Sequence, residues 1–558
     1  MSFLDDIFAR LESSGDETAL TELREPNRAI RSRDFLKRVS HVRAFLSSRG
    51  LRRGDRCALL AANGIDWIAI NLAIMAEGLI VVPLYSRQAP SELIAMMKDC
   101  SPSLICCGDV ALRDGIAQNW PKAPPQALFE EIFAASDTES QTGVFAAHKL
   151  GESDVVTIIY TSGTSGEAKG VMITAGNVAH ILKCTSGQLD ILMNCRPGEA
   201  RPRNDRVYQW APLNFAAAWI TTLTGLLRGS SIFLNTDLSK LAGELRSVAP
   251  DYFVNVPALL ERVRRAVDEQ LWKTGGIVRT IYTKAKAAYM RKHEGKQTFR
   301  DSIWLATANA GVFPTIRKKM IGSNLKALIC GSAPLNIETQ LFFMMLGIPV
   351  LQVYGLTETT AICTLDDPRH VEPGRVGRAI SGIEMKLGEN SEIIVRGPNI
   401  FPGYWNRPQE TANVLRDGWF HTGDQGEVNA AGNWKIIGRI KNLIILNSGH
   451  NIPPEPIEDE LLARLPDAQH VVVIGNGRSY LSLLVTGQLT ADQVQSAVDE
   501  VNSALPHYKQ VRAFHIVSKP FTIETGLLTA NGKLKRDLIA QRYSAEIEEM
   551  YAAKRSIA

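Results

Sequence analysis

A chain of 558 residues is too long for one hydrophobic core, because single cores stop growing near roughly 250–300 residues, and 45% hydrophobic with 22% charged content is ordinary for a globular protein; two or more domains are expected. The net charge of +4 gives no argument for a nucleic-acid partner, which usually demands a strongly basic face, and the eight cysteines form no CxxC pair or Cys/His cluster with metal spacing. The first residues, MSFLDDIFARLESS, place acids where a signal peptide needs cations, and no apolar run reaches the roughly 18 residues that span a bilayer, so the expected setting is cytoplasmic, with at most a peripheral contact to the inner face of the membrane.

In chain order, the apolar runs RCALLAANG, LIVVPLY and SLICCGD alternate with helical patterns, and VVTIIYT follows as a further buried strand. That strand runs into TSGTSGEAKG, residues 161–170, a loop suited to polyphosphate. Gly163, Gly166 and Gly170 let backbone N–H groups turn toward an anion that Thr161, Ser162, Thr164 and Ser165 can also hydrogen-bond, and Lys169 adds a positive charge. A P-loop NTPase is the rival, but its pattern ends in Gly-Lys-Ser/Thr. Here Ala168 precedes the lysine and Gly170 follows it, so the hydroxyl that would ligate magnesium is missing.

Further along, APLNFAAAWITTLTGLLRG reads equally as a buried helix or as the wall of an acyl tunnel in which Ala216, Ala217 and Ala218 leave room. SIFLNT, YFVNVP, LKALICGSAP and IPVLQVYG continue the rhythm of an α/β protein with largely parallel sheets. Among them, residues 262–300 carry eleven Lys and Arg against few acids, the pattern of a solvated helical insertion or of a surface that meets an anionic bilayer. LICGSAPL and VYGLTETTA bring polar groups to the carboxyl ends of two strands, where α/β sheets bind ligands. From Ile383 the texture changes to short hairpins, among them WFHTGDQGEV with Asp424, and the strand WKIIG ends at Arg439. The expected fold is α/β: a large N-terminal domain of stacked mostly parallel sheets with helices plus a β-rich subdomain, residues 1–440, and a small mobile α+β C-terminal domain, residues 441–558. Near the end, PFTIETGLLTANGKLKRDLI sets Lys533 in a Thr-x-x-Gly-Lys-x-x-Arg context.

These five motifs, in this order and spanning about residues 20 to 538, resemble the signatures of the adenylate-forming (AMP-binding) enzymes. IIVRGPNIFPGYWNRPQETANVLRDGWFHTGD and PFTIETGLLT are similar to the long-chain fatty acyl-CoA synthetase branch. The resemblance implies that residues 161–170 hold the phosphates of ATP and that Gly331, Ser332 and Ala333 border adenine. It further implies that Tyr354, beside Gly355, packs on that ring, that Thr357 touches phosphate and that Glu358 coordinates Mg2+. Asp424 would accept both ribose hydroxyls, Arg439 would reach the same nucleotide, and Lys533 would act with Glu358 and Thr164 in catalysis. A hinge is implied at Asn442, where relatives carry Asp or Lys; a pantetheine tunnel at Ser448, Gly449 and His450; and an acyl pocket at Phe215, Ala218 and Trp219, with Phe215 standing where relatives often have His.

The implied chemistry uses ATP, Mg2+ and coenzyme A. A thiol cannot displace oxide from a carboxylate, so a medium- to long-chain fatty acid would first form acyl-AMP with release of pyrophosphate, and CoA would then take the acyl group. The alternative sends that group to an acyl carrier protein, an amine or a hydroxyl. Enzymes of that kind typically carry an insertion after the Thr-Glu motif, and the short path from Glu358 to Asp424 leaves no room for one, which favours CoA. A catalytically silent acyl or nucleotide sensor is opposed by the presence of Lys533, Glu358, Asp424 and Arg439 together.

Overall fold

The structure is a computed structural model that describes residues 2–134, 148–162, 168–194, 204–274, 276–321, 324–522, 525–529 and 532–552. Aliphatic and β-branched runs that bury both faces favour parallel pairing under helices. In the first sheet Gln126–Leu128, Leu104–Cys107, Arg56–Leu60, Ile80–Leu84 and Val155–Ser162 lie side by side in parallel, and Ala168–Thr174 closes the edge antiparallel. The second sheet sets Val350–Tyr354, Ala327–Cys330, Tyr252–Asn255, Arg206–Gln209, Ser231–Asn235 and Thr18–Leu23 in parallel, with short antiparallel strands at both ends. Helix Ile65–Ala76 is apolar apart from Asp66 and the buried Asn71. It belongs to the core that joins both sheets, from Cys57 and Leu59 to Leu20, Val207 and Ile232, as an all-round hydrophobic helix must.

The β-rich region pairs Glu384–Leu387, Glu392–Arg396, Trp419–Val428 and Trp434–Arg439. Along Trp419–Val428 burial alternates, so Phe420, Thr422 and Asp424 share the inner face. Beyond the tight turn Ile440–Asn442, a separate core packs helices Glu455–Arg464 and Ala491–Ser503 on the strands Ala468–Ile474, Leu481–Gly487 and Val511–Val517. The last two strands run parallel, with Ala491–Ser503 as their crossover.

One expectation changes in detail. Lys169, read as part of a loop, lies on a strand: Ala168–Thr174 is half β-branched or aliphatic and pairs back on Val155–Ser162, with Lys169 opposite Thr161 and Gly170 opposite Tyr160. The basic stretch is helical, forming an arm of helices Pro257–Thr274, Gly276–His293 and Phe299–Thr307.

Candidate active site

The buried strand Val350–Tyr354 ends at Gly355, where the chain folds back on itself. A Cβ at Gly355 would run into the Ala361 carbonyl and the Ile362 backbone, so Gly355→Ala is expected to cost about 3 kcal/mol, read as a lower denaturant midpoint. The following turn, Thr357–Thr359, is pinned by the Leu356 N–H donating to the Thr359 hydroxyl at 2.9 Å and by the Asn399 amide donating to the Thr359 and Ile362 carbonyls at 3.2 Å. Glu358 is thereby held with its Oε1 accepting from the Tyr404 phenol at 2.9 Å. Burial, then the Glu358 charge, raise the Tyr404 pKa, so this phenol stays a donor.

Tyr404 is brought there by backbone pairing. The Met172 N–H donates to the Gly403 carbonyl at 3.2 Å and the Trp405 N–H to the Gly170 carbonyl at 2.7 Å. Gly170 serves this close approach, since a Cβ there would lie 2.7 Å from Ile158 Cγ2 and 3.2 Å from the Tyr160 ring. On the same hairpin Lys169 forms an ion pair with Glu410 and lies 5.3 Å from the centre of the Tyr404 ring. Thr161 faces it across the ladder, and Ser162 ends its strand. Gly163, Thr164, Ser165 and Gly166 lie outside the described residues.

Asp424 is buried at the inner face of its strand. Its Oδ2 accepts from the Tyr354 phenol at 2.7 Å, and its Oδ1 pairs with Arg439 Nε at 2.6 Å across the strand pair. Burial raises the Asp424 pKa while the Arg439 charge opposes the rise; burial and then the Asp424 charge raise that of Tyr354. Gly331 closes the neighbouring strand end, where a Cβ would meet Val353 Cγ2 at 2.5 Å. Ser332 follows with φ 74°, an uncommon left-handed conformation for serine, and leaves Ser332 and Ala333 exposed at the rim.

From the C-terminal region, Lys533 joins the cluster. Its side chain keeps contact with solvent, yet the surrounding protein and the Arg439 charge lower its pKa, while Asp424 and Glu358 pull it back up. Lys533 therefore lies within electrostatic reach of both carboxylates. Lys441, in the turn between the two regions, is pushed down to about 8 by burial and then by Arg439. Three of these partners were not singled out by sequence: Tyr404 and Glu410 sit in PGYWNRPQET, 46 and 241 residues from Glu358 and Lys169, and Lys441 is the lysine of GRIKN.

The remaining expected residues make no hydrogen bond or ion pair to Glu358, Asp424 or Lys533 among the described residues. The Asn442 amide donates to Glu455 at 2.6 Å. Ser448 and His450 are exposed and bonded to each other at 2.9 Å, the His450 ring stacks on Tyr508 at 4.3 Å, and Gly449 turns the loop with φ 82°. Phe215 is half-buried, 6.1 Å from the Tyr85 ring. Ala218 is buried, and Trp219 turns into the main core, where its indole N–H donates to Asn71 at 3.1 Å.

Among known proteins, residues 7–405 match the family model described as AMP-binding enzyme, and residues 441–555 match that of the AMP-binding enzyme C-terminal domain. The chain is 27% identical over 549 residues to the long-chain-fatty-acid–CoA ligase FadD15 of Mycobacterium bovis, covering 91% of this chain and 89% of that protein. It is 25% identical to the long-chain-fatty-acid–CoA ligase ACSBG2 of Rattus norvegicus, covering 90% and 86%. Among solved structures, ATP-bound MatB from Rhodopseudomonas palustris is similar with a TM-score of 0.74 at 24% identity, covering 97% and 99%. The anthranilate CoA ligase AuaEII in complex with anthranoyl-AMP follows with 0.75 at 18%, covering 97% of each chain.

Proposed function

The chain belongs to the family of AMP-binding enzymes, and from that premise we propose that it is an ATP-dependent acid–thiol ligase that adenylates a medium- to long-chain fatty acid and transfers the acyl group to coenzyme A. The observation that carries this reading is the buried Asp424 carboxylate held between the Tyr354 phenol and Arg439, a charge cluster that Glu358 and Lys533 also feel. Similarity to two proteins named long-chain-fatty-acid–CoA ligases supports the substrate class.

In this reading the carboxylate attacks the α-phosphorus in line and pyrophosphate departs. Catalysis of such a transfer is mostly positioning and charge stabilisation. Lys533 meets the charge that develops on the transferring group, and Lys169 leaves Glu410 for the outer phosphates. Asp424, already aligned by Tyr354 and Arg439, takes the ribose hydroxyls. Glu358 suits Mg2+, a hard ion that takes carboxylate oxygen: Tyr404 engages Oε1, and Oε2 has no protein hydrogen bond among the described residues. When bound, the ion would be held by the Glu358 carboxylate and would supply positive charge against the polyphosphate. Tyr404→Phe is therefore expected to raise the Mg2+ concentration for half-maximal activity several-fold, with the fold unchanged.

For the second step the C-terminal region would turn about residues 440–442, withdrawing Lys533 and presenting Ser448, Gly449 and His450 to pantetheine. Delivery to a carrier protein instead would change only this second partner. The acyl chain would enter beside Phe215. Each methylene it buries is worth about 0.8 kcal/mol, so kcat/KM should climb roughly fourfold per added carbon until the pocket is full. Pyrophosphate exchange across a ladder of fatty acids and a set of aromatic acids tests this. A flat ladder, or a preference for aromatic acids, would remove the fatty-acid assignment.

A further inference from the structure

The helical arm carries a surface that the ligase chemistry does not use. At the tip, where helices Pro257–Thr274 and Gly276–His293 meet, Trp272 is 64% exposed, Ile277 78% and Val278 42%. The third arm helix adds Phe299 at 82% and Ile303 at 52%. Large apolar side chains this open, and this many on one arm, mark an interaction surface. The Arg279 guanidinium lies over the Trp272 ring at 4.7 Å, so an aromatic and a cation share the tip.

Charge says what that surface meets. Residues 262–300 hold eleven Lys and Arg against three acids in a chain whose total is only +4, so the rest of the molecule is net negative. Part of this charge is spent within the protein: Lys286 pairs with Asp268 at 3.4 Å, Arg264 with Glu338 at 3.2 Å, and Arg265 donates to the Pro466 carbonyl at 2.7 Å. Lys273, Lys284, Lys292 and Arg300 make no ion pair among the described residues. Apolar residues among uncompensated cations are what an interfacial helix presents to acyl chains and anionic headgroups together. Among the described residues no helix is long and apolar enough to cross a membrane, so contact here is with the surface. The arm roots at the carboxyl end of Tyr252–Asn255, two strands from Tyr354.

We infer that the tip around Trp272, Ile277 and Val278, with Lys273 and Arg279, docks the enzyme onto an anionic lipid bilayer, a partner whose use here rests on the fatty-acid reading above.

Flotation of the full chain with phosphatidylcholine vesicles, and with vesicles containing phosphatidylglycerol, tests this at low and high salt. Wild type should float with the anionic vesicles at low salt and much less with neutral ones. Lys273→Glu with Arg279→Glu should weaken partitioning by about 30-fold or more, at roughly a factor of five per cation. Ile277→Glu with Val278→Glu should abolish it at high salt. Both double variants should turn over a water-soluble short acid at the wild-type rate, which shows that they fold. Wild type that stays in solution, or a charge-reversed variant that floats like wild type, overturns the docking surface. Wild type that floats while adenylating no fatty acid leaves the surface standing and removes the substrate assignment.

Discussion

Replacing Lys533 with alanine is expected to slow fatty-acid-dependent ATP–pyrophosphate exchange by roughly 10²–10³-fold, the scale of losing one preorganised charge-stabilising donor. The lysine stands within reach of Glu358 and Asp424 in this arrangement of the chain, and its side chain is not part of the core, so the variant should fold. The same surroundings predict a pH effect. Only the ammonium form stabilises developing negative charge, and desolvation by the surrounding protein, with the neighbouring Arg439, lowers the lysine pKa. Exchange should therefore fall as pH rises through that lowered pKa, earlier than a free lysine would allow. Lys533→Arg, which cannot deprotonate, should start from a lower rate but lose that alkaline limb. An alanine variant with full exchange activity would remove Lys533 from the first half-reaction.

Asp424→Ala is expected to have the second-largest effect, because it acts on fold and function together. The carboxylate is buried between the Tyr354 phenol and Arg439, and its loss leaves both donors without their acceptor. Removing one partner of a fully buried pair costs about 3–5 kcal/mol; Arg439 is partly open to water, which brings the expected loss below that range, to about 2–3 kcal/mol. The KM for ATP should rise by about 100-fold, since the ribose hydroxyls lose a charged acceptor at about 2–3 kcal/mol. Asp424→Asn separates the two effects. It keeps an oxygen for Tyr354 and should recover part of the stability, while nucleotide affinity stays low because the charge is gone. If Asp424→Asn binds ATP as wild type does, Asp424 is a structural residue only.

The strands were legible because each is a short aliphatic or β-branched run bounded by Gly, Pro or Asn: LIVVPLY contains Ile80–Leu84, and YFVNVP contains Tyr252–Asn255. The residues gathered at the strand ends were legible through their order along the chain. The partners that hold those residues were not. Tyr404 reaches Glu358 because residues 403–405 pair with the hairpin edge at Gly170 and Met172, a tertiary contact that no local spacing announces. Gly170 looked like part of an anion-binding loop, yet its absent side chain makes room for Ile158, Tyr160 and Trp405. Trp219 shows the limit of pattern reading from the other side: an apolar helix fits a tunnel wall or a core equally well, and its bond to Asn71, 148 residues away, sets it in the core. In the arm, composition disclosed the charge, but only the fold disclosed that Trp272, Ile277 and Phe299 stand in water.

The most direct test of the account is a quenched reaction of the purified chain with Mg-ATP and a panel of fatty acids, with and without CoA, in which AMP, acyl-AMP and acyl-CoA are followed together by mass spectrometry. The account predicts acid-dependent acyl-AMP without CoA, and acyl-CoA with stoichiometric AMP when CoA is present. Formation of neither acyl-AMP nor acyl-CoA with any acid would contradict it. Acyl-AMP that accumulates untouched by CoA would keep the adenylation chemistry at Lys533, Glu358 and Asp424 but overturn the assigned acceptor.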